Sequence, residues 1–430
     1  MSTGFKYLDL SALPVDWTAD HFGNLVDYNL GRTPPRNSPY YWKDGIYPWV
    51  SISDMKPYGV LQETVEKVSQ QAFDEVFRGR LAPEGSLLMS FKLTIGRISR
   101  LGVPAFHNEA IISFKPDPKK ISPEYLGYYL SQINYKDYQD TAIKGQTLNK
   151  GKLDSLEISL PPLPEQKAIA HTLATVQRAI RAQERIIQTT TELKQALMQK
   201  LFSEGLRGKP QKETEIGLVP ESWGVVECGD ACDTISVGIV VQPASYYVKE
   251  GVPAFRSQNV RADRIQVEPM VYISNEANDG PVKKSKLFAG DVLIVRTGYP
   301  GTSCVVPPEL EGSNCIDLIF ARPDKARLSS HYLSRFFNSD LAKRQVQAGK
   351  TGLAQQHYNV GAVKSTKIPL PSLGEQEKIV SYLELIDSKV DTATSRFNVL
   401  QEIFYTLLHE LMTAKTRANG LTSLSSAQNS

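Results

Sequence analysis

The sequence predicts an α+β fold in which two similar globular units alternate with two long helices that pair antiparallel as a coiled coil. Three observations carry this. First, Ile158-Ser-Leu-Pro-Pro-Leu-Pro-Glu-Gln166 returns 210 residues later as Ile368-Pro-Leu-Pro-Ser-Leu-Gly-Glu-Gln376. Second, each copy heads a long stretch of helical periodicity, and Ile169, Leu173, Leu197 and Leu201 match Ile379, Leu383, Leu407 and Leu411 at that same offset. Third, the residues ahead of each copy share a frame of turns and short apolar runs while the side chains between them diverge. The chain is an internal repeat with pseudo-two-fold character.

The first unit is expected over residues 1–159. Leu13-Pro-Val-Asp-Trp17 opens it, and Gly31-Arg-Thr-Pro-Pro-Arg36 is rich in turn formers. Strand-like runs at Tyr47–Ile52, Leu87–Phe91 and Ala110–Phe114 are punctuated by Gly, Pro and Asn. Ser122-Pro-Glu reads as a helix start with Ser122 as N-cap. The polar run Lys144-Gly-Gln-Thr-Leu-Asn-Lys150 then leads to a strand-like Leu156–Leu160.

The first spacer helix, with its hinge, is expected over 160–208. Prolines stand ahead of its first turn, where a missing N–H costs nothing, and Glu165 suits the positive end of the helix dipole. At 1.5 Å per residue such a helix is on the order of 55 Å long. Gly, Lys, Pro and Glu dominate Gly205–Gly217, which reads as a hinge.

Residues 209–368 repeat the plan. Val219-Pro-Glu-Ser-Trp223 answers Leu13–Trp17, Gly290-Asp-Val-Leu-Ile-Val295 answers Gly85–Ser90, and Asn314–Phe320 answers Asn108–Phe114. The second long helix, expected over 369–417, steps by four and three through Ile379, Leu383, Ile386, Val390, Ala393, Phe397, Leu400, Phe404, Leu407 and Leu411, a coiled-coil seam. The first helix places Gln183, Thr190 and Lys194 where the second has Ala393, Leu400 and Phe404. Either polar residues occupy its seam, or the seam rotates onto Ile186 and Leu193. The tail 418–430 is low in apolar residues and reads as disordered.

Composition narrows the function classes. The chain is 41% hydrophobic and 22% charged over 430 residues, which fits a two-domain globular protein. No apolar run approaches the roughly 20 residues of a membrane span, and no signal-peptide pattern opens the sequence, so a cytoplasmic protein is expected. Four cysteines match no strong metal spacing. The formal net charge of +3 is spread as 0 over residues 1–159, +3 over 160–208, +2 over 209–368 and −2 over 369–430. No segment is a polycation, so any nucleic-acid binding must use local patches.

Catalytic signatures are missing. Gly349-Lys-Thr351 resembles the end of a phosphate-binding loop, but Arg344 stands where that loop needs its first glycine. Glu192-Leu-Lys194 lies on a helix, where residues two apart do not share a face. Thr33-Pro-Pro-Arg36 has the wrong residues on both sides for an adenine-methyltransferase motif. No glycine-rich cofactor loop follows a strand, and the six histidines suggest no triad. Neither a metal nor a cofactor is expected, and the chain performs no chemistry alone.

The polar loops carry the positive signal. Lys92, Arg97 and Arg100 follow a strand in the first unit, and Arg296 and Thr297 follow its counterpart in the second. Lys144, Gln146, Thr147, Asn149 and Lys150 gather before the first long helix; Lys350, Thr351, Gln355, Gln356, His357 and Asn359 gather before the second. Arg, Lys, Gln and Asn read base edges in the major groove, while Lys, Ser and Thr hold phosphates. A single such loop is ordinary surface. Their recurrence at equivalent places favours base and phosphate contact by the set as a whole.

The twice-occurring Leu-Pro-x-Leu-x-Glu-Gln motif, the Pro-x-x-Trp at the head of each unit and Gly290-Asp-Val-Leu-Ile-Val-Arg-Thr-Gly298 resemble the specificity subunits of type I restriction-modification systems. The resemblance runs from about Leu8 to Thr416. It implies two target-recognition domains, each reading half of a split DNA site, and helices that hold them apart and dock two methyltransferase subunits. S-adenosylmethionine would bind the methyltransferase partner, and restriction subunits would join the complex. One departure is Lys92-Leu93-Thr94 against Thr297-Gly298-Tyr299, where the first loop is expected to be built differently. The alternatives are a coiled-coil scaffold that binds only proteins, which would show no DNA sequence preference, and a stand-alone nuclease or methyltransferase, which the missing motifs disfavour.

Overall fold

The computed structural model describes residues 13–92, 94–138, 148–206, 208–348 and 358–418. The chain forms two compact units: the first joins the residues up to Ala182 with those from Arg396 onward, and the second is Gln183–Ser395. Each unit therefore contains part of both long helices, Leu163–Glu204 and Leu373–Met412.

In the first unit the main sheet runs in the order Tyr28–Leu30, Ile111–Phe114, Leu87–Ser90, Ile98–Leu101, Gly59–Leu61. A three-stranded sheet (Glu66–Val68, Tyr47–Val50, Phe106–His107) accompanies it. Leu87–Ser90 is buried at every position, so both its faces are covered and it reads as an unbroken apolar run rather than an alternating one. The helix Pro123–Leu130 begins where Ser122 Oγ accepts the Tyr125 N–H. Thr18–His21 pairs with Glu157–Leu160, which brings the head of the unit beside the strand that feeds the first long helix.

The second unit repeats this register. Its main sheet is Cys232–Val237, Leu318–Pro323, Val292–Val295, Ser303–Val305. Leu88 pairs with Ser113 and Ser99 as Leu293 pairs with Phe320 and Cys304. Gly224–Glu227 pairs with Lys367–Leu370, as Thr18–His21 does with Glu157–Leu160. Gly31 and Gly238 hold equivalent places. A Cβ on Gly31 would stand 2.1 Å from the Asn108 carbonyl oxygen, and one on Gly238 would stand 2.2 Å from that of Cys315, so only glycine lets the chain pass. The expected hinge is partly an ordered hairpin, Gln211–Thr214 with Gly217–Pro220. Two short strands outweighed its Gly and Lys content.

The repeated Glu-Gln pair has a defined task in each unit. Gln166 Oε1 accepts the Ser122 N–H at 2.8 Å while its Nε2 donates to the Pro161 carbonyl. Gln376 accepts the Ser329 N–H at 2.8 Å and donates to the Pro371 and Arg327 carbonyls. Glu165 accepts the Trp17 indole N–H at 3.1 Å, and Glu375 accepts that of Trp223 at the same distance. Arg417 binds Glu165 through Nε and Nη2, and Lys209 Nζ binds Glu375. Each long helix is thus tied at its first turn to the opening of its own unit and to the residues that follow the other helix. Arg417 also pairs with Asp16, and Ala418 is fully buried.

The helices meet within each unit with the start of one against the end of the other. Ile169, Ala170 and Leu173 share a core with Phe404, Leu408, Leu411 and Met412 in the first unit. Met198, Leu201 and Phe202 share one with Ile379, Val380 and Leu383 in the second. Of the seam residues, Ile379, Leu383, Ala393, Phe404 and Leu411 are buried; Ile386, Val390, Phe397, Leu400 and Leu407 are half-buried. In the first helix Ile186 and Leu193 are 46% and 57% exposed, whereas Gln183, Thr190 and Lys194 are half-buried. Polar residues therefore occupy its inner face.

Lys194 shows why a charge is tolerated there. Its Nζ lies 2.7 Å from Asp387 Oδ1 and 3.8 Å from Asp263. Arg335, 7% exposed, bridges those carboxylates at 2.5 Å (Asp387) and 2.8 Å (Asp263). Two cations and two anions close a buried network linking both helices to the helix Ser330–Asn338.

Candidate nucleic-acid interface

In each unit the sheet ends in a loop closed by glycine, and a second chain segment enters beside it. In the first unit Leu87–Ser90 leads into this loop, and the Gly96 N–H returns to the Ser90 carbonyl at 2.9 Å. Gly96 has φ +83°, a conformation glycine adopts without strain. Leu148 N–H then donates to the Phe91 carbonyl at 3.1 Å, so the segment leading to Lys150 ends against this loop. Asn149 Oδ1 caps the short helix Lys150–Asp154 by accepting the Lys152 N–H.

The second unit is built alike. The Gly301 N–H (φ +88°) returns to the Val295 carbonyl at 3.0 Å, and the Tyr358 N–H donates to the Arg296 carbonyl at 3.2 Å. Asn359 Oδ1 caps Val360–Lys364 by accepting the Ala362 N–H. The two loops are equal in length and closed by the same bond, with Lys92 and Thr94 standing where the second unit has Thr297 and Tyr299. In each unit the residue just ahead of the short helix, Leu148 or Tyr358, is thus bonded to the loop that follows the central strand.

The predicted contact residues fall into distinct groups. Lys92 lies with its Nζ 5.3 Å from the centroid of the Phe91 ring. Lys150 is exposed at the start of its helix, and Thr297 is exposed. Arg97 is engaged inward: its Nη1 donates to the Ile52 and Met55 carbonyls, pinning the neighbouring loop. Arg100 pairs with Glu124 at 2.5 Å. Arg296 Nη1 binds Asp317 at 2.6 Å, and its buried Nε has no hydrogen-bond partner among the described residues. Lys144, Gln146, Thr147, Lys350, Thr351, Gln355, Gln356 and His357 lie outside the described residues.

Sequence reasoning missed two features. One is the Trp–Glu pair in each unit, signalled by the joint recurrence of Trp17 with Glu165 and of Trp223 with Glu375. The other is a cavity of about 500 Å³ in the first unit. It is lined by Arg32, Arg80 and Lys115 with Asp27, Ser86 and Ser113, residues too far apart in sequence to form a pattern. His107, also in its lining, bonds the Ile111 carbonyl through Nδ1; burial lowers its pKa to about 4, so it is neutral at pH 7.

No group of three or more His, Cys, Asp or Glu side chains able to hold a metal occurs among the described residues. Cys228, Cys304 and Cys315 are buried thiols, and burial raises the last two. No helix among the described residues is long and apolar enough to cross a membrane.

Comparison with known proteins gives consistent matches. The family model described as type I restriction modification DNA specificity domain matches twice, over residues 14–192 and 220–402. A Methanocaldococcus jannaschii protein assigned as the specificity subunit of the type I restriction enzyme MjaX is 28% identical over 96% of each chain. The EcoKI specificity subunit of Escherichia coli is 25% identical over 70% of this chain and 68% of its own. Among solved structures, the type I restriction-modification S subunit of M. genitalium shares the fold with a TM-score of 0.56 at 15% identity, covering 93% of this chain and 98% of that one.

Proposed function

Because the chain belongs to the type I restriction-modification DNA specificity family and is a specificity subunit with two target-recognition domains, the non-catalytic component of its enzyme, we propose that each unit reads one half of a split double-stranded DNA site. The observation that carries this reading is the matched pair of glycine-closed loops, equal in length and closed by the same hydrogen bond while the side chains differ. A fixed frame with exchangeable polar side chains suits two different half-sites, since base edges are read by side-chain donors and acceptors. Lys92, Lys150 and Thr297 are the described candidates for DNA contact, with Lys144, Gln146, Thr147, Lys350, Thr351, Gln355, Gln356 and His357 on the adjoining segments. Arg97 and Arg296 act by holding the loops in place, because their guanidinium groups are engaged by protein atoms.

The long helices would dock two methyltransferase subunits, which bring S-adenosylmethionine, and restriction subunits would complete the assembly in the cytoplasm. Tyr382 and Leu385 support a docking role: both are on the second helix and 51% and 58% exposed. The test is to replace residues 209–368 with the corresponding region of another family member and to map methylated sites by sequencing. One half-site should change and the other persist. A hybrid in which both half-sites changed would refute independent reading.

A further inference from the structure

The two main sheets share one register, so any place where one unit is filled and the other hollow can be compared residue by residue. The cavity of the first unit is such a place. Ser113 pairs with Leu88 where Phe320 pairs with Leu293, and Phe320 is 1% exposed within the core of the second unit. Ala82, bonded to Ala105 across the chain, stands where Leu287 is bonded to Ser313, and Leu287 is fully buried. Two large apolar side chains fill the second unit where two small ones leave the first open.

The charges differ in the same way. Lys115 and Ser86 of the first unit correspond by register to Arg322 and Asp291 of the second. There the guanidinium is bound by both Asp291 oxygens at 2.8 Å and lies 4.3 Å over the Phe288 ring. Serine at position 86 removes the carboxylate that would neutralise Lys115. None of Lys115, Arg32 and Arg80 has an ion-pair partner among the described residues, and all three line the cavity. Arg32 is already oriented, its Nη1 donating to the Val76 carbonyl at 2.9 Å. Asp27 is the lone carboxylate of the lining.

We propose that this cavity is a binding site for a phosphate-bearing nucleotide, with Arg32, Arg80 and Lys115 on the phosphates and Asp27 on a sugar hydroxyl. Three cations with no ion-pair partner among the described residues suit a polyanion, and guanidinium groups match phosphate geometry. A volume of about 500 Å³ falls within the roughly 300–1,000 Å³ range of small-ligand pockets. The ligand is either a free nucleotide or a nucleotide of a DNA strand. The first source does not depend on DNA reading by the loops.

The experiment titrates ATP into the full-length protein by calorimetry and measures duplex affinity of the assembled complex against salt. The variants are Ser113→Phe, which copies the filled second unit, and Arg80→Gln and Lys115→Gln, whose exposed side chains leave the fold intact. ATP binding lost in Ser113→Phe and weakened about tenfold in the two charge variants supports a free nucleotide. No ATP binding, but duplex affinity lowered in the charge variants with a salt slope shallower by about one, supports a strand phosphate. Absence of both effects, or ATP binding unchanged in all variants, overturns the site. If Ser113→Phe failed to fold, the two charge variants would decide alone.

Discussion

Substituting Arg335 with methionine would remove one of the two cations of the buried network, leaving Lys194 to offset both Asp263 and Asp387 while Asp263 keeps its hydrogen bonds from Ser334 and Asn338. The side chains of Arg335 and Asp263 are 7% and 8% exposed, so water cannot replace the lost partner. Truncating one member of a buried ion pair costs about 3–5 kcal/mol. For a unit of this size, roughly 2–4 °C per kcal/mol gives a fall of about 6–20 °C in melting temperature. The pH dependence is a second signature. Burial alone would raise the Asp387 pKa, but the hydrogen bond from Lys194 and the charges of Arg335 and Lys194 outweigh it and hold the pKa below the ordinary value. A depressed carboxylate contributes stability that is present above its unfolded pKa, about 4, and is lost as pH falls through the folded value. In Arg335→Met the folded pKa moves back up, so less of this stability exists to be lost in acid. Calorimetric melts from pH 3 to 8 test both points. The double variant Arg335→Met with Asp387→Asn rebalances the charges and should recover part of the loss. An Arg335→Met protein melting within about 1 °C of wild type would refute the reasoning, because a buried anion excess cannot be that cheap.

Two further outcomes follow from the helices. Phe404 is 3% exposed and packs edge-on against Tyr58 at 5.4 Å, so Phe404→Asp should bury an unpaired charge, destabilise the first unit by several kcal/mol (about 3–5) and impair complex assembly; normal melting with normal methylation would exclude its role in the core. Inserting four helix-forming residues within Thr189–Thr191 lengthens the first helix by about 6 Å with a net rotation of about 40°, and sequencing of methylated DNA should find unchanged half-sites with a gap longer by roughly one to two base pairs, whereas a two-residue insertion turns by about 200° and should abolish recognition. An unchanged gap in the four-residue variant would sink the view of the helices as the ruler.

The repeat, the seam and the frame of turns were legible because each leaves a periodic or duplicated trace. Ile379, Leu383, Phe404 and Leu411 lie in the seam's spacing and are buried. The choice between polar and rotated seams in the first helix was not legible. It depends on Asp263 and Arg335, which come from the globular part of the second unit and bear no fixed spacing to Lys194. At the candidate interface, residue type pointed to Arg97, but a half-buried guanidinium bonded to Ile52 and Met55 carbonyls is a brace. Sequence gives the donor and not where it points. The cavity escaped for a related reason: it is defined by what Ser113 and Ala82 fail to fill.

The first unit is assembled from two stretches of chain that flank the second, and that orders its birth on the ribosome. Its core needs Phe404, Leu408, Leu411, Met412 and Ala418, which are made after the whole of the second unit. At roughly 5–20 residues per second, the interval between synthesis of Ala182 and of Phe404 is on the order of ten to forty seconds. Throughout it, Tyr128, Ile169 and Leu173 lack the helix that covers them. The second unit, continuous from Gln183 to Ser395, has no such wait, because all its own residues have been made before the first unit's missing helix emerges. The nascent chain is thus a finished second unit carrying an unfinished first one, and the stretch translated after the second unit is the one that ends its exposure to aggregation and proteolysis.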